Sequence, residues 1–120
     1  MLCGLLFVTG DAFKEEGDSE PEASSLLREV MNQARKLGQK KVNLYVIGNY
    51  DNATVFDGLR HAIQDNLDLT LTIFVWKEGI PKLKDCEVIV ACDKTFRQSR
   101  VSELLPNEVK ASVKKYLCSQ

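Results

Sequence analysis

Histidine is nearly missing from this chain: His61 is the only one in 120 residues. With no serine or second histidine close to it in sequence, it reads as a surface residue rather than the base of a catalytic pair. An excess of charge of one sign is missing as well. Sixteen basic residues stand against 17 acidic ones for a net charge of -1, so no general attraction to nucleic acid or anionic membranes is expected, and any anion site must be a local cluster. No run approaches the roughly 18 to 20 apolar residues that cross a bilayer. The opening MLCGLLFVTG is too short for an anchor and lacks the basic start of a signal peptide, which makes the cytoplasm the expected location. The four cysteines contain no CxxC pair. In a reducing compartment that spacing predicts free thiols rather than a disulfide framework, and it supports no zinc motif. There is no internal repeat, low-complexity segment or linker, and the length suits one domain over residues 1–120.

The residues that are present alternate between two periodicities. Leu2 to Thr9 is a continuous apolar run of strand length, suited to burial on both faces, and Gly10 and Asp11 end it. A polar loop from Asp11 to Glu20 leads to a helix beginning near Ser19 or Glu20, with Pro21 in its first turn, and ending before Gly38. Its positions Leu27, Val30, Met31, Ala34 and Leu37 recur at helical spacing. Val42 to Gly48 is rich in β-branched and aromatic residues and predicts a second strand. GNYDNA then turns the chain, with Asn52 a candidate cap for a helix over Ala53 to Asn66. Leu69 to Trp76 reads as a third strand and Cys86 to Ala91 as a fourth. Val101 to Leu105 suits a helical turn or short strand, and Pro106 to Cys118 a last helix with Val109, Val113, Tyr116 and Leu117 on its apolar face.

That order predicts an α/β fold: a three-layer, Rossmann-like domain with a mainly parallel sheet of four to five strands and helices on both faces. The connection between the third and fourth strands is too short for a helical crossover, which implies one antiparallel pair.

In parallel α/β sheets ligands bind beyond the carboxyl ends of the strands. The sequence places Thr9, Gly10 and Asp11 there after the first strand, Gly48, Asn49 and Asp51 after the second, and Cys92, Asp93, Lys94 and Thr95 after the fourth. Two chemistries can be drawn from these residues. Cys92, flanked by Lys94, Arg97 and Arg100, is the candidate catalytic group, because a positive field lowers a thiol pKa and favours the thiolate. Lys94, Thr95, Arg97, Arg100, Gly10 and Asn49 are then candidates for binding a substrate or anion. The alternative is a metal site for phosphodiester hydrolysis, in which Asp11, Asp51 and Asp93 converge on Mg²⁺. The first chemistry needs no resident cofactor. Neither GNYDNA nor VTGD is a nucleotide-binding glycine motif.

The segment Val88 to Pro106, VIVACDKTFRQSRVSELLP, resembles the end of the DsrE-like family of small sulfur-relay proteins. The resemblance is carried by Ala91, Cys92, Thr95, Phe96, Arg97, Leu104, Leu105 and Pro106; the opening LLFVTGDAF and the VNLYVIG strand look similar to that family's first half. Val101 stands where the family usually has glycine, and Leu69 to Trp76 is strand-like where the family would have helix. The resemblance implies a homo-oligomeric α/β protein, or one acting with a partner protein, in which Cys92 carries sulfur as a persulfide.

Overall fold

The structure, a computed structural model, describes residues 1–118. Five strands form one sheet: β1 (Leu2–Phe7), β2 (Lys41–Ile47), β3 (Thr70–Trp76), β4 (Glu87–Cys92) and β5 (Val113–Cys118). They lie in the order β3-β2-β1-β4-β5 and every neighbouring pair is parallel. Helices α1 (Glu22–Lys36) and α2 (Asn52–Gln64) pack on one face; α3 (Gln98–Leu104) and α4 (Asn107–Lys110) cover part of the other. The result is the expected three-layer α/β domain with helices on both faces.

The two faces follow from the period of two along each strand. Leu2 and Leu6 of β1, with Val42, Leu44 and Val46 of β2, meet Leu27, Val30 and Met31 of α1 and Val55 and Leu59 of α2. Leu5 and Phe7 point the other way, to Val88, Val90 and Cys92 of β4 and to Val101, Leu105 and Val109. Because β1 is flanked on both sides and covered on both faces, all six of its residues are buried. That is why it reads as an unbroken apolar run. Two close approaches hold the first layer tight. Gly4 admits Leu44 and Val30, and Gly58 of α2 lies where an added Cβ would stand 2.9 Å from the Cβ of Phe13 and 3.0 Å from its Cα.

Helix α1 starts at Glu22, with Pro21 in the N-cap position. Helix α2 is capped one residue earlier than expected: Asp51, not Asn52, accepts the Thr54 amide at 2.7 Å.

Two expectations are corrected. No antiparallel pair joins the third and fourth strands. Residues 77–86 leave β3 at its carboxyl end and enter β4 at its amino end, passing β2 and β1 on the way. An extended chain of that length reaches roughly 33 Å, so no helix is needed for a parallel crossover; Ile80 and Leu83 anchor the segment in the second core. The stretch Pro106 to Cys118 is also not one helix. After the single turn of α4 the chain becomes β5, with Ile89 to Cys92 in register with Lys115 to Cys118. Val113 and Tyr116 fit helical spacing as well as a strand edge. The open hydrogen-bonding edge of β4 decides between them, since unpaired backbone groups beside a core must find partners.

Helical cover is incomplete over β2 and β3 on the second face. Tyr45 stacks on Phe74 with ring centroids 4.8 Å apart and meets Trp76 edge-on at 5.8 Å. Phe74 and Trp76 remain 38% and 36% exposed. Among the described residues no helix is long and apolar enough to cross a membrane.

Candidate functional site

The strand order reverses direction between β1 and β4: the chain steps from β1 outward to β2 and β3, then returns to the other side of β1. The connections leaving β1 and β4 therefore diverge onto opposite faces and open a crevice at their carboxyl ends. A cavity of about 490 Å³ lies there. Thr9 and Asp11 line it from the exit of β1, Glu22 and Ser25 from the first turns of α1, and Asp93, Lys94 and Thr95 from the exit of β4. The acidic loop contributes Lys14, Glu15, Glu16, Ser19 and Glu20.

Asp93 holds the two strand ends together. One carboxylate oxygen accepts the Thr9 amide at 2.7 Å and the Thr9 hydroxyl at 2.9 Å. The other accepts the amides of Thr95 at 3.0 Å and Phe96 at 3.3 Å. The Asp93 amide in turn donates to the Phe7 carbonyl at 3.0 Å. The side chain thus spans the gap between two neighbouring strands and closes the turn that follows β4, and it is only 2% exposed. Its lone pairs are occupied by protein donors, as burial of a carboxylate requires.

The remaining sequence candidates disperse around this edge. The backbone amide of Lys94 donates to Glu22 at 3.2 Å, which ties the exit of β4 to α1. Arg97 is the N-cap residue of α3 and borders a shallow groove with Gln98, Ser99 and Ser102. The Arg100 guanidinium lies 5.1 Å over the Phe96 ring, a cation–π contact. Lys94 therefore faces the α1 layer while Arg97 and Arg100 belong to the α3 layer, and they make no common field around one thiol. Gly10 opens the 3-10 turn Gly10–Phe13, and Asn49 is exposed in the bend after β2.

Cys92 itself is 0% exposed and bonded to Cys118 of the adjacent strand, the two Cα atoms 4.7 Å apart. This corrects the expectation of four free thiols: in this state Cys92 carries no thiol to ionise, and only Cys3 and Cys86 are free. No signal in sequence pointed to Cys118, because its strand read as the end of a helix.

The three aspartates do not form a joint site. Asp51 is engaged in capping α2, and the amide and side chain of Thr54 hold its pKa below the usual value. Asp11 is exposed and pairs with Lys14 at 3.3 Å. Asp93 is used up as described. Among the described residues no group of three or more His, Cys, Asp or Glu side chains is arranged to hold a metal ion.

Carboxylates outnumber ammonium groups around the crevice, though three are already paired, Asp11 with Lys14 among them. Glu20 accepts from Arg28 at 2.9 Å, and Glu15 accepts from Arg60 at 2.6 Å and meets His61 at 3.1 Å. Hydrogen bonds from His61 and then Arg60 lower the Glu15 pKa. Sequence reasoning missed Glu22 and Ser25, since their role comes from the position of the α1 start beside β4.

Fold and crevice define a parallel three-layer α/β protein with its cavity at the point where strand order reverses. The chain belongs to a family of unknown function (DUF5751), whose model matches residues 17–119. A hypothetical protein from Sulfolobus tokodaii, known from a crystal structure, is similar with a TM-score of 0.66 and 21% identity, over 98% of this chain and 94% of that one. At that identity the likeness speaks to the fold alone. No curated protein matches the chain.

Proposed function

We propose that this protein is a small-molecule-binding α/β domain that takes a polar ligand bearing amine or hydroxyl groups in the crevice between β1 and β4. The observation that carries the reading is the cavity of about 490 Å³ at the strand-order reversal, walled by two strand exits and the start of α1. Its lining is rich in acceptors: with Asp11 and Lys14 paired to each other, Glu16 and Glu22 stand against Lys94. Such a wall repels phosphate and matches cations and hydroxyls. Asp93, with its four accepted hydrogen bonds, keeps the wall rigid without touching the ligand, in keeping with a preorganised site.

Titration with polyamines, amino sugars and nucleotides, followed by amide NMR, tests this. The amines or sugars are expected to move the signals of Thr9, Glu22, Lys94 and Thr95, and Ser25→Trp is expected to remove the response by filling the crevice. Nucleotides moving those signals instead, or no compound of either class doing so, would sink the reading.

A second reading, sulfur handling, is favoured by the placement of Cys92–Cys118 at the same sheet edge, with Cys118 only partly buried. Hydrosulfide attacking the Cys118 sulfur would form a persulfide there and release Cys92 as a thiolate, which then takes a proton. Mass spectrometry of the oxidised protein after hydrosulfide treatment should find one added sulfur on Cys118. A bond that stays closed, or sulfur that loads equally onto Cys92→Ser, removes this reading. In either case we place the protein in the cytoplasm, self-associated through the bare aromatic face of Tyr45, Phe74 and Trp76. A single-chain mass by light scattering at high concentration would remove the self-association.

A further inference from the structure

Only one of the two cysteine pairs in this fold is bonded. Cys3 lies on β1, on the face shared with Leu5 and Phe7, and Cys86 ends the crossover segment just before β4. Register brings them together: Leu2 stands opposite Glu87, and the Glu87 amide donates to the Met1 carbonyl at 2.9 Å. The two sulfurs are 2.7 Å apart, about 0.7 Å longer than a covalent S–S bond of roughly 2.05 Å. Strand pairing holds the backbone at Cys3 and at Glu87, the residue after Cys86.

The two thiols differ in access. Cys3 is buried, whereas Cys86 is half-buried at the amino-terminal edge of the sheet. Met1 brings its thioether to 3.8 Å from the Cys86 sulfur, and the Lys84 carbonyl is 3.4 Å away. Burial first, and then the neighbouring Cys86, push the Cys3 thiol up to about 12, so Cys3 stays protonated at neutral pH. Cys86 is accordingly the sulfur that meets a reagent from solvent, and Cys3 the one that follows.

We propose that Cys3 and Cys86 form a second redox site, a paired dithiol that closes to a disulfide by exchange with a low-molecular-weight disulfide. In the first step the Cys86 thiolate attacks one sulfur of the external disulfide, its S–S bond breaks, and one small thiolate leaves and takes a proton. In the second step the Cys3 sulfur displaces the second small thiolate from Cys86, and the Cys3 proton passes to that departing thiolate. Two protein thiols are oxidised to one disulfide and the external disulfide is reduced to two thiols, so electrons and protons balance. The site lies at the opposite end of the sheet from the crevice and from Cys92–Cys118, and it is independent of both. Closing it ties the start of β1 to the end of the crossover segment.

The test is incubation of the full-length chain with oxidised glutathione, followed by alkylation, tryptic digestion without reduction, and mass spectrometry. Cleavage at lysine separates residues 1–14, 85–94 and 116–120, which hold Cys3, the Cys86 and Cys92 pair, and Cys118. The untreated chain should give 85–94 joined to 116–120, with Cys3 and Cys86 alkylated. After treatment all three peptides should travel as one species, with no glutathione retained. Cys3→Ser is expected to stop at the mixed disulfide and keep one glutathione on Cys86. Cys86→Ser, which removes the more exposed thiol, is expected to leave Cys3 without glutathione. Wild-type protein that retains glutathione on Cys86, or that keeps both thiols alkylatable under excess oxidant, would overturn the proposal.

Discussion

Asp93→Ala is expected to lower the unfolding free energy by roughly 3 to 5 kcal/mol, among the largest effects of any single substitution in this chain. The reason is the number of donors left behind. The amides of Thr9, Thr95 and Phe96 and the Thr9 hydroxyl all point at this one carboxylate. Removing it strands donors in a place where only 2% of the Asp93 surface meets water. A buried donor without a partner costs about 1 to 3 kcal/mol, and hydrogen bonds to a charged acceptor are the stronger kind. Asp93→Asn keeps one acceptor oxygen but turns an amide group toward donors, so it is expected to fall between wild type and alanine. Urea unfolding monitored at Trp76 measures both. A change below about 1 kcal/mol for alanine would mean that water enters and satisfies these groups, and the account of Asp93 as the stitch between β1 and β4 would be wrong.

Cys118→Ser is expected to cost about 3.5 kcal/mol. Cys92 and Cys118 are 26 residues apart, and the chain-entropy estimate for a loop of that size gives this figure, with the usual spread of about 2 to 4 kcal/mol. The bond also holds an edge strand. β5 pairs only with β4, its register shifts between Val88 and Ile89, and Lys114 and Lys115 are exposed. Unfolding should be measured in a Cys86→Ser background, so that a single bond responds to reductant. Dithiothreitol is then expected to reproduce the effect of Cys118→Ser and to do nothing further to that variant. A midpoint that does not move on reduction would show that β5 is held by its hydrogen bonds and by Tyr116 and Leu117 alone.

The same pair of strands marks where sequence reading stops. Leu2 to Phe7 and Val88 to Ala91 could be recognised as strand because each run is buried from both sides, and burial on both sides leaves only apolar residues. The stripe of Leu27, Val30, Met31 and Ala34 likewise marked α1, and all four are buried. Val113 to Cys118 carries no such mark. As an edge strand with one face partly wet it has mixed residues, and their spacing fits a helix equally well. β3 is the other edge. Its alternation of exposed and half-buried residues was visible in Leu69 to Trp76, but its direction was not. Direction depends on where the extended segment 77–86 crosses, and local preference in that segment carries no record of it.

The candidate site divides in the same way. Its position was legible: residues after β1 and β4 at the carboxyl edge of a parallel sheet, with Thr9, Asp11, Asp93, Lys94 and Thr95 all lining the crevice. The role of each side chain was not. Asp93 looked like a metal ligand until four donors were seen to occupy it, and Cys92 looked like a free nucleophile until β5 brought Cys118 beside it.

The amino-acid sequence by itself determined the α/β class, the strands β1 to β4, the first two helices and the sharing of one sheet edge by Thr9, Asp11, Asp93, Lys94 and Thr95. These follow from local periodicity and from which residues tolerate burial, and both are written along the chain. Tertiary structure alone decided the all-parallel strand order, the conversion of the carboxyl-terminal segment into β5 and the bonding of Cys92 to Cys118. Each depends on groups far apart in sequence, an open strand edge or a second sulfur, that have no influence on one another until the sheet has formed.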